Sequence, residues 1–179
     1  MLIGIDKAGH WHLNDTSNFL INQENPALIA LNQSNRELAV VPGKASQQLV
    51  ETSGQGLLEH VDVIFPIVHG TLGEDGCLQG LLRMADLPFV GSDVLGSAVC
   101  MDKDVSKRLL RDAGIGVTPF ITLTRRNAAR TPFEAAVNTL GLPMFVKPAN
   151  QGSSVGVSKV ENEAEYHAAV ELALGFDEK

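Results

Sequence analysis

Chemistry in this chain is concentrated at a lysine beside a loop of small polar residues. Lys147 follows an apolar run of strand character at 144–146, and Pro148 then ends regular strand pairing. The next segment, 150–154, contains a glycine and two serines, and strand character resumes at 155–157. Backbone amides beside a glycine approach an anion closely, and hydroxyl and ammonium groups add further donors. The pattern predicts a β-hairpin whose loop binds phosphate and closes over it as a flap.

The same hairpin also fits a plain turn, in which Lys147 is solvated and the loop binds nothing. The established nucleotide fingerprints do not support a site here, because the chain contains neither G-x-x-x-x-G-K-[ST] nor G-x-G-x-x-G. A P-loop and a dinucleotide-binding turn are therefore unsupported. If the segment binds phosphate, a flexible loop between two strands that closes over the ligand fits the sequence better than either of these motifs.

A second candidate group follows the strongest strand signal of the chain. The run at 61–68 is nearly continuous apolar sequence rich in β-branched residues, which predicts a strand covered on both faces. It ends in a glycine-rich loop at 69–76, and in an open α/β sheet ligands bind at such loops. His69 and Glu74 are the candidate binding groups, since Asp75 stands where its carboxylate would cap the next helix. A purely structural role for His69 is the alternative.

Composition narrows the class of protein. With 44% hydrophobic and 20% charged residues, the 179-residue chain is typical of globular domains and unlike disordered or fibrous proteins. Its formal net charge of −7 argues against nucleic acid and anionic membrane as partners, so a phosphate site has to be local. Cys77 and Cys100 lack C-x-x-C spacing and fit a reducing compartment. With no signal peptide and no apolar run that could span a bilayer, we expect a cytoplasmic protein.

Two histidines near the start of the chain could in principle bind metal. His10 and His12 flank Trp11 with the period of a strand face. A metal site needs several ligands, however, and the sequence shows no third one nearby. We therefore expect an exposed hairpin at this point, and no metal-binding residues in the chain.

Strands and helices alternate along the chain, which predicts an α/β fold with an open, mostly parallel sheet. Helices are expected at 77–85, 94–101, 102–113, 132–140 and 162–174, and shorter strands at 2–5, 88–91 and 120–123. Thr131 and Glu134 have the spacing of a capping box before the fourth helix. The domain boundary is expected between Met101 and Asp102, which divides the chain into 1–101 and 102–179.

Several motifs, taken together, resemble a known family. The motif His69-Gly70-x-x-Gly73-Glu74-Asp75-Gly76-x-Leu78-Gln79-Gly80 is similar to the first signature of the D-alanine–D-alanine ligases, members of the ATP-grasp superfamily. The segments 101–103, 145–148 and 152–157 follow in the order of that family. The resemblance covers essentially the whole chain. It implies an N-terminal substrate domain of the pre-ATP-grasp type at 1–101 and the first part of an ATP-grasp nucleotide-binding domain at 102–179.

The resemblance also implies an activity, namely ATP-dependent joining of two D-alanines through D-alanyl phosphate, for peptidoglycan synthesis, cell-wall biogenesis and cell shape. It implies that Lys103 and Lys147 contact the ATP phosphates and that His69, with Glu74, binds the first D-alanine. The flap over the phosphates would consist of Gln151, Gly152, Ser153 and Ser154. Ser153 would also order the substrate, so that Ser153 and His69 are the implied catalytic residues. The implied partners are the small molecules ATP and D-alanine, and the full-length family is expected to form homodimers.

The chain also departs from the family pattern. The family begins with a strand and a glycine-rich turn bearing a substrate-binding glutamate, and it continues beyond the position of Lys179 with the groups that hold Mg²⁺. We therefore expect the Mg²⁺ ligands to lie outside this chain, and the 179-residue chain to be inactive alone. Gln151 stands where many relatives carry an acidic residue. The alternative is a non-catalytic remnant that binds a nucleotide or a partner.

Overall fold

The computed structural model describes residues 1–14, 20–22, 24–25, 28, 30–31, 36–43, 47–52, 58 and 60–179. They form two compact units, Met1–Phe65 with Leu81–Val90 and Pro66–Gly80 with Gly91–Lys179. Strands and helices both occur, which confirms the predicted α/β class. The domain boundary between Met101 and Asp102 stays a prediction. None of the helices in these ranges is both long and apolar enough to cross a membrane.

Short antiparallel strands build the first unit. In its described residues they are β1 (Leu2–Ile5), β2 (Trp11–Asn14), β3 (Leu20–Ile21), β4 (Ala30–Leu31), β5 (Glu37–Val40) and β6 (Leu49–Glu51). Four of them form one sheet in the order β1-β2-β5-β6, and β3 pairs with β4. The strand predicted at 2–5 is confirmed. Its register, with Ile5 opposite Trp11, leaves a tight turn between β1 and β2.

That turn corrects the prediction of an exposed hairpin at the two histidines. The hairpin is present, but only His10 is exposed, whereas His12 has 3% of its surface accessible. A buried imidazole needs a polar partner. Asp6 supplies one, because its Oδ2 lies 3.3 Å from the His12 Nε2.

The buried strand predicted at 61–68 is wrong. Its strand pairing is reduced to one parallel bridge between Ile64 and Phe89, with the Ile64 N–H bonded to the Pro88 carbonyl at 2.8 Å. Phe65 is 67% exposed and Ile67 is 72% exposed, so neither side chain is covered. A buried strand needs paired strands at its edges and packed layers over its faces, and within the described residues its strand pairing is limited to the bridge to Phe89. Within the described residues, the bridge between Ile64 and Phe89 is the parallel strand pairing, and the other strand pairs are antiparallel.

The predicted helices are confirmed to within a few residues. Their bounds are α1 Cys77–Met84, α2 Val94–Met101, α3 Lys103–Asp112, α4 Phe133–Leu140 and α5 Glu163–Phe176, with a 3₁₀ turn at Ala128–Arg130. Gly114 and Gly141 follow the ends of α3 and α4 with φ of 74° and 76°, a conformation that favours glycine. The capping box at Thr131 and Glu134 is not formed. Helix α4 begins after Pro132, and no side chain caps it.

The predicted hairpin near the end of the chain is confirmed. Strand β7 (Met144–Val146) pairs antiparallel with β8 (Ser158–Val160), three residues later than the strand predicted at 155–157. The delay has a local cause, because Gly156 adopts a φ of 66° that no strand residue has. The predicted strand at 120–123 has no strand partner among the described residues, and Ile121 and Leu123 instead pack against the core of the second unit.

Helix α5 supplies much of that core. Its residues Tyr166 and Ala169 pack with Met144 and Val160 of the hairpin and with Ala136 of α4. The Tyr166 hydroxyl donates a hydrogen bond of 3.0 Å to the Thr131 carbonyl, so its polar atom is satisfied. The hairpin strands are thus held by a packed helix, and the loop between them projects from a fixed base.

Candidate active site

Lys103 is the first residue of α3, and its side chain reaches the hairpin loop. The helix starts here because the Asp102 carboxylate accepts hydrogen bonds from two N–H groups of the first turn. The Lys103 Nζ donates to the carbonyl oxygens of Gln151 at 2.6 Å and Ala149 at 3.2 Å. A lysine gains nothing from the dipole at a helix N-terminus. Its position is explained by the loop root that it holds.

The opposite side of the loop root is held by the residues that follow α5. The Asp177 Oδ2 accepts hydrogen bonds from the backbone N–H of Asn150 at 2.8 Å and from its side-chain amide at 3.0 Å. The Ala149 N–H donates to the Lys179 carbonyl at 2.8 Å. Residues 149–151 are therefore fixed from two sides, by α3 and by the end of α5.

The tip of the loop has fewer contacts. Ser153 and Ser154 are exposed and adopt φ of 48° and 60°, a left-handed conformation unusual for two successive serines. Two backbone hydrogen bonds span the tip, from Val155 to Gly152 at 3.0 Å and from Val157 to Ser154 at 3.3 Å. Because little packing opposes it, the tip can change conformation at low cost while the root stays fixed.

A cavity of about 370 Å³ lies beside the loop root. Four lysines line it, namely Lys103, Lys107, Lys147 and Lys179, among largely apolar residues. Burial, and after it the charge of Lys147, lowers the pKa of Lys103 below its usual range, and the same two effects lower the pKa of Lys107. Positive charges that disfavour one another in this way would be relieved by a bound anion.

The carboxylates of the cavity region are already engaged. The Asp104 Oδ1 accepts hydrogen bonds from the Arg108 Nε at 2.7 Å and the Thr122 hydroxyl at 2.5 Å. The Asp102 Oδ2 lies 2.5 Å from the Lys179 Nζ. Burial alone would raise the pKa of Asp102, but the hydrogen bonds from Lys179 and from the helix amides outweigh it and lower the pKa. Oxygens committed to cations and amides do not fit a Mg²⁺ site.

The loop at 69–76 forms the second candidate group and is folded upon itself. The Gly70 N–H donates to the Glu74 Oε2 at 2.6 Å, and the Glu74 N–H returns a bond to the Gly70 carbonyl at 2.9 Å. One carboxylate oxygen of Glu74, a candidate binding group, is thus engaged by the backbone of its own loop. His69 is exposed, and its side chain has no hydrogen bond within residues 60–179.

Asp75 is used by backbone amides, as the sequence predicts. Its two carboxylate oxygens accept from Leu72 at 2.8 Å and from Cys77 at 3.0 Å. Gly76 follows with a φ of 97°, and a Cβ there would lie 2.8 Å from the Val94 carbonyl oxygen. Only glycine satisfies both demands, which explains the loop's composition at this point.

The structure thus brings some of the predicted residues together and leaves others apart. Lys103, Lys147 and Gln151 meet at the loop root beside the cavity, with the tip adjacent in sequence. His69 and Glu74 lie in a separate loop of the same unit. Within residues 60–179, no hydrogen bond or ion pair joins the two groups.

Comparison with protein families decides the classification. Residues 1–92, just over half of the chain, match the model described as D-ala D-ala ligase N-terminus, and residues 109–179 match D-ala D-ala ligase C-terminus. The chain belongs to the D-alanine–D-alanine ligase family. The resemblance inferred from the motif at 69–80 is therefore confirmed.

Individual members of the D-alanine–D-alanine ligase family match along the whole chain. D-alanine–D-alanine ligase A of Salmonella typhimurium is 65% identical over 179 residues, which are 100% of this chain and 49% of that protein. The D-alanine–D-alanine ligase of Shouchella clausii is 60% identical over 178 residues, 99% of this chain and 48% of that protein. The chain spans about half the length of these curated relatives.

Solved structures of the same family confirm the fold. The VanG D-Ala:D-Ser ligase of Enterococcus faecalis matches with a TM-score of 0.78 and 35% identity, over 98% of this chain and 50% of that one. The D-alanine–D-alanine ligase of Coxiella burnetii matches with a TM-score of 0.77 and 34% identity, over 98% of this chain and 49% of that one.

One cavity residue of this ligase-family chain is missed by the sequence interpretation. The sequence motifs do not single out Lys107, but this lysine lines the cavity, with its Nζ 5.0 Å from the centre of the Phe120 ring. A signal was available, because Lys103 and Lys107 are four residues apart and share a helix face. A lysine anchored at a loop root makes the next lysine on that face a candidate.

Proposed function

We propose that this chain contributes the phosphate-binding site of an ATP-dependent D-alanine–D-alanine ligase. One observation carries the proposal. Lys103, Lys107 and Lys147 line one cavity at the root of a Gly/Ser loop, and burial, followed by the charge of Lys147, lowers the pKa of the other two. Clustered ammonium groups and loop amides are the donors that a polyphosphate requires. The product, D-alanyl-D-alanine, would serve peptidoglycan synthesis and hence cell-wall formation and cell shape.

The lysines would have different tasks. The Lys103 ammonium already donates two hydrogen bonds to the loop root, so its main task is to hold that root beside the phosphates. Lys147 is exposed at the end of β7 and makes no hydrogen bond within residues 60–179, so its donors are available to an ATP oxygen. Phosphoryl transfer depends mostly on such positioning and charge stabilisation.

The tip would act as the flap. Gln151 and Gly152 follow the fixed root, and the exposed hydroxyls of Ser153 and Ser154 can donate to phosphate once the tip closes. Closure would also keep water from the reactive acyl phosphate. Ser153 is the residue proposed to order the substrate as well as the phosphate.

The separate loop at 69–76 would bind the first D-alanine, with His69 as the exposed group and Glu74 bracing the loop through Gly70. In the proposed reaction, the carboxylate of this D-alanine attacks the terminal phosphate of ATP, releasing ADP and forming D-alanyl phosphate. The amine of a second D-alanine then attacks the acyl carbon, and inorganic phosphate leaves as the peptide bond forms. No residue of the described ranges is assigned to Mg²⁺.

The test is a chimaera in which residues 1–179 replace the matching segment of the Salmonella typhimurium D-alanine–D-alanine ligase A. We expect ADP release that depends on D-alanine, and dipeptide as product, when ATP and Mg²⁺ are supplied. D-serine as second substrate is a parallel arm, because VanG is a D-Ala:D-Ser ligase. A folded chimaera without D-alanine-dependent turnover, or one indifferent to Lys147→Ala, would contradict the proposal.

A non-catalytic nucleotide-binding module is the second candidate. The cavity and its lysines lie wholly within residues 103–179, so phosphate binding does not by itself require ligase activity. ATP binding by the 179-residue chain that weakens in Lys147→Ala, together with an inactive chimaera, would favour this candidate.

A cytoplasmic location and a homodimeric full-length enzyme complete the proposal. The structure leaves Cys77 and Cys100 as exposed free thiols, which fits a reducing compartment. Sedimentation of the chimaera tests the dimer, and a monomer at working concentration would count against it.

A further inference from the structure

The turn between β1 and β2 brings three potential metal ligands together. Asp6 Oδ2 lies 3.1 Å from the His10 Nδ1 and 3.3 Å from the His12 Nε2. One ligand atom from each of the three residues lies within 4.8 Å of the others. This group belongs to the first unit and takes no part in the proposed ligase site.

The turn holds Asp6 in a fixed orientation. Its Oδ1 accepts hydrogen bonds from the backbone N–H groups of Ala8 and His10, both at 2.9 Å. Its backbone closes the same turn, because the Asp6 N–H donates to the His10 carbonyl and the Gly9 N–H to the Asp6 carbonyl, both at 3.0 Å. One carboxylate oxygen is thus committed to the turn, and the other faces both imidazoles.

The spacing of these atoms matches a tetrahedral metal ion. At metal–ligand distances of about 2.0–2.2 Å, neighbouring ligands of such a site stand about 3.3 Å apart. The two oxygen–nitrogen distances, 3.1 and 3.3 Å, already have this value. The third distance, between the imidazole nitrogens, can shorten by rotation of His10, whose side chain is 60% exposed.

The chemistry of these three residues suits a cation. A carboxylate oxygen and imidazole nitrogens are common ligands of Zn²⁺ and related ions. Two nitrogens and one carboxylate oxygen leave the fourth position for water.

We propose that Asp6, His10 and His12 form a binding site for a divalent transition-metal ion of the Zn²⁺ type. The ion would tie the turn at residues 6–10 to β2 and stabilise this edge of the sheet. This site is independent of the proposed function, because it uses none of the residues assigned to ATP or D-alanine.

The experiment titrates the full 179-residue chain with Zn²⁺ by calorimetry in a non-chelating buffer, and follows Co²⁺ binding by its visible absorption. We expect one ion per chain, tetrahedral Co²⁺ bands, and a higher melting temperature with Zn²⁺ that EDTA reverses. Asp6→Asn keeps an oxygen for the turn amides but removes the charged ligand atom. It should weaken Zn²⁺ binding at least about tenfold, as even changes around a metal site do.

Two further variants decide the outcome. His10→Ala removes an exposed ligand without opening the core, so it applies even if Asp6→Asn fails to fold. His167→Ala is the matched control, because His167 lies 3.8 Å from the Glu163 carboxylate on α5 as an ordinary histidine–carboxylate pair. Zn²⁺ binding lost in His10→Ala and kept in His167→Ala supports the site. Absence of 1:1 binding, or binding that survives both Asp6→Asn and His10→Ala, would overturn it.

Discussion

The Lys103 Nζ donates a 2.6 Å hydrogen bond to the Gln151 carbonyl oxygen and so joins the start of α3 to the loop between β7 and β8. Lys147, the other lysine assigned to phosphate, is exposed and has no such bond within residues 60–179. The two lysines thus have the same charge and line the same cavity, but of the two only Lys103 anchors the loop root by hydrogen bonds.

Substitution should separate these two roles. Lys103→Ala removes hydrogen bonds from a charged donor to two loop carbonyls, so we expect a loss of about 1–3 kcal/mol in the free energy of unfolding of the 179-residue chain. Lys147→Ala removes no hydrogen bond within residues 60–179, and its free energy of unfolding should stay within about 0.5 kcal/mol of the parent. Urea unfolding followed by circular dichroism measures both. Equal stability losses in the two variants would show that the anchoring role is misassigned.

Lys147→Ala, which should hardly change stability, should have a large effect on ATP. In the chimaera, Lys147→Ala should weaken ATP binding or turnover tenfold or more, because a contact of about 1.4 kcal/mol corresponds to a factor of ten. Lys159→Ala is a suitable control, since Lys159 is an exposed lysine of the same hairpin that pairs with Glu161 at 2.6 Å. Kinetics unchanged by Lys147→Ala would show that Lys147 is a solvated lysine that does not contact ATP.

The pKa of Lys103 provides a test that needs no enzyme activity. Burial lowers this pKa first and the charge of Lys147 lowers it further. Lys147→Ala removes only the second effect, so the pKa of Lys103 should rise but remain below the ordinary value of 10.5. The Cε chemical shift of Lys103, followed by NMR from pH 7 to 11, measures it. A pKa that does not rise would mean that the two ammonium groups are too far apart to share one anion.

Local sequence signals predict the elements around the site well. Gly114 and Gly141 mark helix ends, and Asp75 accepts a hydrogen bond from Cys77 at the start of the helix it was expected to cap, because each feature is set by a few neighbouring residues. Apolar periodicity likewise predicts α5, whose Tyr166 and Ala169 are buried.

Tertiary relationships are what the sequence does not predict. The run at 61–68 has every local property of a buried strand, but a strand also depends on partners, and within the described part of the chain only the Phe89 segment pairs with it. Lys107 in the cavity and Asp6 beside His12 depend on where the chain turns back, which no local pattern encodes. The proposed substrates rest on the family motif, because neither periodicity nor spacing could distinguish them.

The histidine of the second loop should act on D-alanine and not on ATP. His69 is exposed and its side chain makes no hydrogen bond within residues 60–179, so His69→Ala should leave the stability of the chain unchanged. In the chimaera, we expect it to raise the Michaelis constant for the first D-alanine more than that for ATP. His167→Ala, on the exposed side of α5, is the control. An effect confined to the Michaelis constant for ATP would show that His69 does not bind D-alanine as proposed.

The two glycines of the hairpin loop should respond differently to the same substitution. A Cβ on Gly156 would lie 2.7 Å from the Phe176 Cδ2 and 2.8 Å from the Pro148 Cγ, at a φ of 66°. Gly156→Ala should therefore destabilise the chain, by about 1 kcal/mol or more from the backbone conformation alone. Gly152 has open space, since the nearest atom to a Cβ there is the Met101 Cε at 4.0 Å.

Gly152→Ala should consequently leave the unfolding transition in urea unchanged. If the Gly152 amide approaches a phosphate, however, the added methyl group obstructs that approach, and ATP binding by the chain or the chimaera should weaken. Calorimetric titration with ATP, performed on both glycine variants at matched folded fractions, separates the two effects. Normal ATP affinity in Gly152→Ala would show that this glycine is only part of a turn, and the flap would then have to bind phosphate through Ser153 and Ser154.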